Sequence, residues 1–214
     1  NAKFPVILNG AGVVLGGAIA ASMALAERLE APGCVGYQHN DAFPGNHPLF
    51  AGPLGYNGSK AGMELIAQAD VVLALGTRLN PFSTLPGYGL DYWPKTAKII
   101  QVDINPNRIG LTKPVTVGIV GDAKKVAEGI LAKLSPKAGD AARDERKALI
   151  ATTKSRWAQQ LASMSPRTWA TLGREVLQRV LDAAEEPETH PLYEDPGQPA
   201  TVTPGRIPLA LQAF

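Results

Sequence analysis

The feature that constrains the fold most is residues 71–75, an unbroken run of valine, leucine and alanine that ends at Gly76. A strand without polar alternation is covered on both faces, which is typical of a parallel sheet. Four other short apolar runs also end at turn residues. We therefore predict five strands, at residues 4–8, 33–37, 71–75, 99–102 and 115–120.

Apolar residues at helical spacing lie between these strands. One such pattern covers residues 17–29, a second covers residues 59–68 behind the N-cap residue Ser59, and a third begins after Asp122. Strands that alternate with helices predict an α/β fold with a doubly wound, Rossmann-like parallel sheet of about five to six strands. Ligands bind such sheets beyond the carboxyl ends of the strands.

The rest of the chain differs in composition from these strands and helices. Residues 38–57 and 80–94 are rich in Gly, Pro and Asn and are predicted to be loops, of a length that is usually functional or an interface. Residues 140–164 and 167–184 have helical, strongly polar patterns typical of solvated helices. We predict three parts: a central domain at 1–136, a helical linker or appendage at 137–184, and a Pro-rich irregular tail at 185–214 that is foreign or truncated.

Charge and cysteine content exclude several classes of protein. The 21 basic and 19 acidic residues give a net charge of +2, which provides no basic field for nucleic acid. Cys34 is the single cysteine, so no internal disulfide can form, and no apolar run is long enough to span a bilayer. We predict a cytoplasmic protein without nucleic-acid or membrane partners. Because the chain starts at Asn1, just before a core strand, we expect a piece of a longer polypeptide.

A glycine turn follows the first predicted strand. Gly10, Gly12 and Gly16 are spaced G-x-G-x-x-x-G, one residue longer than the dinucleotide-binding fingerprint. No acidic residue closes the second strand, where that fold holds a ribose. Glycines in such a turn serve either the close approach of a ligand or tight packing. The spacing favours packing over an NAD site.

Three polar residues follow later strands, and two of them have evenly balanced interpretations. Asp103 either accepts both hydroxyls of a ribose or caps the loop to Arg108. Arg78 either offers its planar donors to a phosphate or carboxylate, or forms a surface ion pair. Asp122 begins a helix, where we expect an N-cap rather than a ligand contact.

We do not expect a catalytic role for the histidines or the cysteine. His39 and His47 share a loop with Asp41, which raises a metal or general-base hypothesis, but no cysteine or carboxylate cluster completes such a set. We expect both histidines to be solvated or hydrogen-bonded. Cys34 lies on a predicted strand without a cation nearby in sequence, so we expect a small core residue rather than a reactive thiolate.

Five segments, in their order and spacing, resemble the central domain of the thiamine-diphosphate-dependent enzymes, the family of acetolactate synthase, oxalyl-CoA decarboxylase and sulfoacetaldehyde acetyltransferase. They are residues 4–12, the glycine-spaced loop 47–58, and residues 69–78, 100–105 and 120–122. Within the family, residues 36–45 and 79–89 are most similar to the sulfoacetaldehyde acetyltransferases.

The resemblance implies a reaction for the parent enzyme. Thiamine diphosphate would join sulfoacetaldehyde, expel sulfite and pass the acetyl group to phosphate as acetyl phosphate, with the chemistry supplied by the cofactor's ylid. The activating glutamate and the magnesium site belong to flanking domains, and the segment that begins at Gly121 lacks the third glycine of the magnesium motif. We therefore expect no catalytic and no metal-binding residue here, and a chain that is inactive alone.

The resemblance also implies a place for a nucleotide. In some relatives the central domain holds ADP or FAD at the strand ends. We expect the flanking thiamine-diphosphate-binding domains as partners, within a homo-oligomer. The alternative function is a stand-alone ADP- or FAD-binding module without thiamine chemistry. The positions that match the nucleotide site are Gly10, Gly12, Gly76, Arg78 and Asp103.

Overall fold

The computed structural model describes residues 2–56, 58–135 and 141–163, together with Gln178 and Asp182. Residues Asn1–Gln159 form one compact unit, and a second unit begins at Gln160. Apart from these two residues, the predicted helix at 167–184 lies outside the described part, as does the predicted tail at 185–214. The predicted domain boundaries stay predictions.

Six parallel strands form one sheet, which confirms the predicted α/β fold with a doubly wound sheet. The strand order is β3-β2-β1-β4-β5-β6. The strands are β1 Pro5–Asn9, β2 Gly33–Gly36, β3 Phe50–Leu54, β4 Val71–Leu75, β5 Lys98–Asp103 and β6 Val117–Val120.

Within residues 2–56, 58–135 and 141–163, five helices and two 3-10 turns accompany the strands, and two of the helices follow the last strand. None of the described helices is both long and apolar enough to cross a membrane. The helices are α1 Ala11–Leu15, α2 Ile19–Leu29, α3 Lys60–Ile66, α4 Ala123–Lys133 and α5 Ala141–Ser163, and the 3-10 turns are Pro81–Ser83 and Pro106–Arg108.

The core is built around the two central strands, β1 and β4. They pair in register, with Ile7 opposite Leu73, and β1 is buried along its whole length. Burial of each large aliphatic side chain contributes about 1.5–3 kcal/mol. The parallel pairing brings the carboxyl ends of both strands to the same edge of the sheet, which is where a ligand site is expected.

One strand was missing from the prediction. Residues 38–57 were predicted as a loop, whereas the structure places β3, Phe50–Leu54, within them, paired with β2. Gly52 and Pro53 hide this strand from a propensity argument, and Gly52 has a φ of 103° that only glycine adopts readily. A proline is tolerated here because β3 lies at the edge of the sheet, where one side needs no ladder hydrogen bonds.

The helix predicted at residues 17–29 is observed as α2, and a short helix that was not predicted, α1, precedes it. The short α1 begins directly after β1, and α2 begins at Ile19. Gly17 has a φ of 60°, which ends α1 and redirects the chain. The glycine turn therefore leads at once into helical structure.

Helix α5 contacts the compact unit through two arginines. Arg143 donates to the carbonyl oxygens of Glu27 and Arg28, at 3.4 and 3.0 Å. Arg146 donates to those of Leu29 and Glu30, at 2.9 and 2.8 Å. The last carbonyls of a helix have no intrahelical partner and carry a partial negative charge, so these cations satisfy the end of α2. Residues 140–164 were predicted to be a solvated helix, but Arg146 and Ile150 on it are buried.

We predict that Arg146→Met lowers the free energy of unfolding by about 2–4 kcal/mol, because Arg146 is only 8% exposed and three carbonyl groups would lose their donor. Arg156 on the same helix is the matched control. Its side chain is 62% exposed, so Arg156→Met is expected to change stability by less than about 0.5 kcal/mol. Urea unfolding measures both, and equal losses would contradict this role of Arg146.

The single cysteine gives a second prediction. Cys34 is fully buried on β2, as expected, and burial raises the pKa of its thiol to about 12. At pH 8 the folded chain is expected to resist a thiol reagent such as 5,5′-dithiobis(2-nitrobenzoic acid), while the urea-unfolded chain reacts fully. Rapid reaction of the folded chain would contradict the buried position.

Candidate functional site

A cleft of about 430 Å³ lies at the carboxyl ends of the strands. The strand order reverses between β1 and β4, and doubly wound sheets bind ligands at such a switch point. The volume lies within the usual range of ligand pockets, about 300–1,000 Å³. All five positions that the sequence indicated line this cleft, namely Gly10, Gly12, Gly76, Arg78 and Asp103.

The three glycines pack against one another. A Cβ atom on Gly12 would lie 2.8 Å from the Cα of Gly76, and one on Gly10 would lie 2.5 Å from the Cβ of Thr77. Gly76 itself has a φ of 58°, in the left-handed region. Close contact between the turns after β1 and β4 therefore requires glycine at these positions with or without a ligand.

The helix N-termini at the cleft already have hydrogen-bond acceptors. At α1, the amide of Gly12 donates to the carbonyl of Gly76 at 2.8 Å, and that of Val13 donates to Gly10 at 3.0 Å. At α4, Asp122 is the N-cap as predicted, and its carboxylate accepts from the Lys125 amide at 3.0 Å. These amides are thus not free to cradle a phosphate group.

Two arginine side chains supply positive charge at the cleft. Arg78 follows β4, and Arg108 lies in the 3-10 turn after β5. Both are exposed, and within the described part of the chain neither forms an ion pair. The surface ion pair considered for Arg78 is therefore not formed with any described residue. Two free guanidinium groups are suited to phosphate or carboxylate.

The carboxylate of Asp103 holds the turn that follows β5. One oxygen accepts from the Asn105 amide at 2.9 Å, and Asn105 in turn accepts from the amide of Asn107 at 3.0 Å. Asp103 is 5% exposed and lines the cleft. The capping interpretation is thus observed, while contact with a ribose stays a prediction for the second carboxylate oxygen.

The prediction missed one buried polar side chain next to the cleft. Gln101 on β5 is 1% exposed. Its amide nitrogen donates to the carbonyls of Thr77 and Arg108, at 3.1 and 3.0 Å, and its oxygen accepts from the Gly110 amide at 2.8 Å. A glutamine inside an apolar strand could have indicated this residue, because a buried side-chain amide needs hydrogen-bond partners.

The prediction also missed side chains that line the cleft, among them Arg108, Leu15 and Ile104. Arg108 had been considered only as the end of a capped loop. Leu15 and Ile104 are apolar and strongly exposed, with 86% and 73% of their surface accessible. Exposed apolar side chains next to arginines suit a ligand that has both a flat ring and an anionic group.

The two loop histidines do not share one site. His39 lines the cleft, whereas His47 is paired with Glu27 at 3.1 Å and accepts from the Leu49 amide at 3.2 Å. In residues 2–56, 58–135 and 141–163, no group of three or more His, Cys, Asp or Glu side chains could hold a metal ion. The described residues therefore offer no such metal-binding cluster, and we derive no catalytic step from them.

Sequence comparison places the chain among known proteins. The family described as thiamine pyrophosphate enzyme, central domain, matches residues 1–130. A sulfoacetaldehyde acetyltransferase of Roseovarius nubinhibens is 82% identical over 164 residues, which are 77% of this chain and 27% of that protein. A probable acetolactate synthase large subunit of Methanocaldococcus jannaschii is 39% identical over 130 residues, 61% of this chain and 22% of that protein.

A structural comparison agrees with the sequence. An X-ray structure of a Mycobacterium smegmatis protein, assigned as a thiamin diphosphate-dependent enzyme, superposes with a TM-score of 0.53 and 26% identity. The match covers 65% of this chain and 26% of that protein. The chain thus spans about a quarter of the length of these relatives. It belongs to the thiamine pyrophosphate enzyme family and contains the central domain of that family.

Proposed function

We propose that this chain is the central domain of a thiamine-diphosphate-dependent sulfoacetaldehyde acetyltransferase. The parent enzyme would convert sulfoacetaldehyde and phosphate into acetyl phosphate and sulfite. The observation that carries the proposal is the contrast in identity, 82% to a sulfoacetaldehyde acetyltransferase against 39% to an acetolactate synthase. A stand-alone nucleotide-binding module is not favoured, because the matched relatives are about four times as long as the matched segment.

The proposal assigns the chemistry to other domains. Thiamine diphosphate and Mg²⁺ would be bound by flanking domains, because the described residues of this chain do not form a metal site. The cofactor supplies the ylid that carries the acetyl group. We further propose a cytoplasmic homo-oligomer in which this chain acts as a structural fragment and is inactive alone.

The cleft of this domain would bind a nucleotide, ADP or FAD. Arg78 would contact the diphosphate, and Asp103 would contact the ribose hydroxyls. The tightly packed glycines carry no side chains that would fill the cleft. The support is the convergence of these residues on one cleft of about 430 Å³ at the switch point of the sheet.

The proposed function predicts that the purified chain, with thiamine diphosphate, Mg²⁺, sulfoacetaldehyde and phosphate, forms no acetyl phosphate. When the matched 164 residues of the Roseovarius nubinhibens protein are replaced by those of this chain, the chimera should release sulfite. The control chimera carries the 130-residue segment of the Methanocaldococcus jannaschii protein and should not. Acetyl phosphate formed by the chain alone, or a folded but inactive first chimera, would contradict the proposal.

Nucleotide binding predicts a ligand-dependent gain in stability. ADP at one hundred times its dissociation constant should stabilise the chain by about 2.7 kcal/mol, measured as a thermal shift with FAD and thiamine diphosphate in parallel. Arg78→Gln should weaken ADP binding about tenfold through loss of a charge-assisted contact, whereas Arg156→Gln should not. If none of the nucleotides shifts the melting temperature, the domain has a structural role only.

A further inference from the structure

We propose that Arg78 and Arg108 form a single clamp for the diphosphate of an organic ligand, with Gln101 as the residue that positions both. The inference rests on the proposed nucleotide cleft and names the part that recognises the anion. Arg108 has no assigned role, although its side chain is exposed and lines the same cleft as Arg78.

The need for such a clamp follows from the helix termini. In many α/β proteins, backbone amides at the start of a helix bind the phosphate. Here the amides of Gly12 and Val13 in α1 donate to the carbonyls of Gly76 and Gly10, and the Lys125 amide at the start of α4 donates to the Asp122 carboxylate. These three amides are therefore not available to a diphosphate in this cleft, whereas the two arginine side chains offer it positive charge.

Gln101 joins the two turns that carry these arginines. Its amide nitrogen has two hydrogens and makes two contacts, one to the carbonyl of Thr77, just before Arg78, and one to the carbonyl of Arg108. Its oxygen accepts from Gly110. Rotation of the amide by 180° would place oxygen against two carbonyls, so the network fixes its orientation.

A hydroxyl group fixes the Arg78 turn from a second direction. Thr112 Oγ1 lies 3.2 Å from the carbonyl oxygen of Arg78 and 2.7 Å from that of Leu79. Leu79 has a φ of 54°, a left-handed conformation that a leucine adopts only when its surroundings hold it. The backbone below both guanidinium groups is therefore fixed before a ligand binds, which lowers the entropic cost of binding.

The charges in the cleft limit where the anion lies. The carboxylates of Asp103 and Asp122 also line it, and each uses one oxygen to accept a backbone amide. They repel a phosphate, so we place the diphosphate at the arginines and the ribose hydroxyls at Asp103. Leu15 and Ile104 remain as apolar surface for the ring.

Calorimetric titration with ADP and with adenosine tests the clamp. Arg108→Gln should weaken ADP binding about tenfold and change adenosine binding less than about twofold. Gln101→Met should weaken ADP binding in the same selective way. Gln68→Met is the matched control. Gln68 is exposed just after the end of α3, and its side chain donates to the carbonyl of Glu64.

A double-mutant cycle distinguishes positioning from general structural damage. If Gln101 acts through both arginines, Gln101→Met should have a smaller effect on ADP affinity once Arg108→Gln is present, and little effect once Arg78→Gln is present as well. Independent, multiplicative losses, or equal losses for ADP and adenosine, would overturn the positioning role. If Gln101→Met does not fold, Thr112→Val is measured in the same cycle against Arg78→Gln, with the same criteria.

The outcomes separate the clamp from the proposed function. Wild-type binding of ADP that Arg108→Gln leaves unchanged would overturn the clamp while the nucleotide site stands. A wild-type chain that binds neither ADP nor adenosine would overturn the nucleotide site and the clamp together, leaving the acetyltransferase assignment to be judged by the chimeras. Selective loss for ADP in both variants, with coupling, supports the clamp.

Discussion

The contact between Gly12 and Gly76 is the constraint on which the rest of the structure depends. These glycines follow the two central strands, and their backbones approach so closely that neither has room for a Cβ atom. The approach allows the amide of Gly12 to donate to the carbonyl of Gly76. It brings the turns after β1 and β4 together at the switch point, so that the cleft lies directly above the core.

Packing at the switch point separates two roles that a glycine-rich turn often combines. The glycines close the backbone contact and their amides are largely used within the fold, so they do not offer a phosphate cradle. In the proposed nucleotide cleft, recognition of the anion is assigned to Arg78 and Arg108, whose turns are joined by Gln101. Such a domain can bind a ligand without contributing a catalytic group, which is consistent with the proposal that flanking domains supply the chemistry.

Much of this arrangement could be predicted from the sequence, and the failures have physical causes. Apolar runs that end at turn residues predicted five of the six strands. The family resemblance named five residues that line the cleft, because parallel strands bring their carboxyl ends to one edge. Strand β3 was missed because Gly52 and Pro53 mask an edge strand. Gln101 was missed because it donates to the carbonyl of Thr77, 24 residues earlier in the sequence. Arg146 was missed because nothing local shows that it reaches the end of α2.

A crystal structure of the chain with ADP would test the account most directly. The account predicts the diphosphate between the guanidinium groups of Arg78 and Arg108, the ribose at Asp103, and no phosphate oxygen in contact with the Gly10 or Gly12 amides. A diphosphate seated on the glycine turn would contradict the separation of packing from recognition. A cleft that stays empty at saturating ADP would contradict ligand binding by this domain.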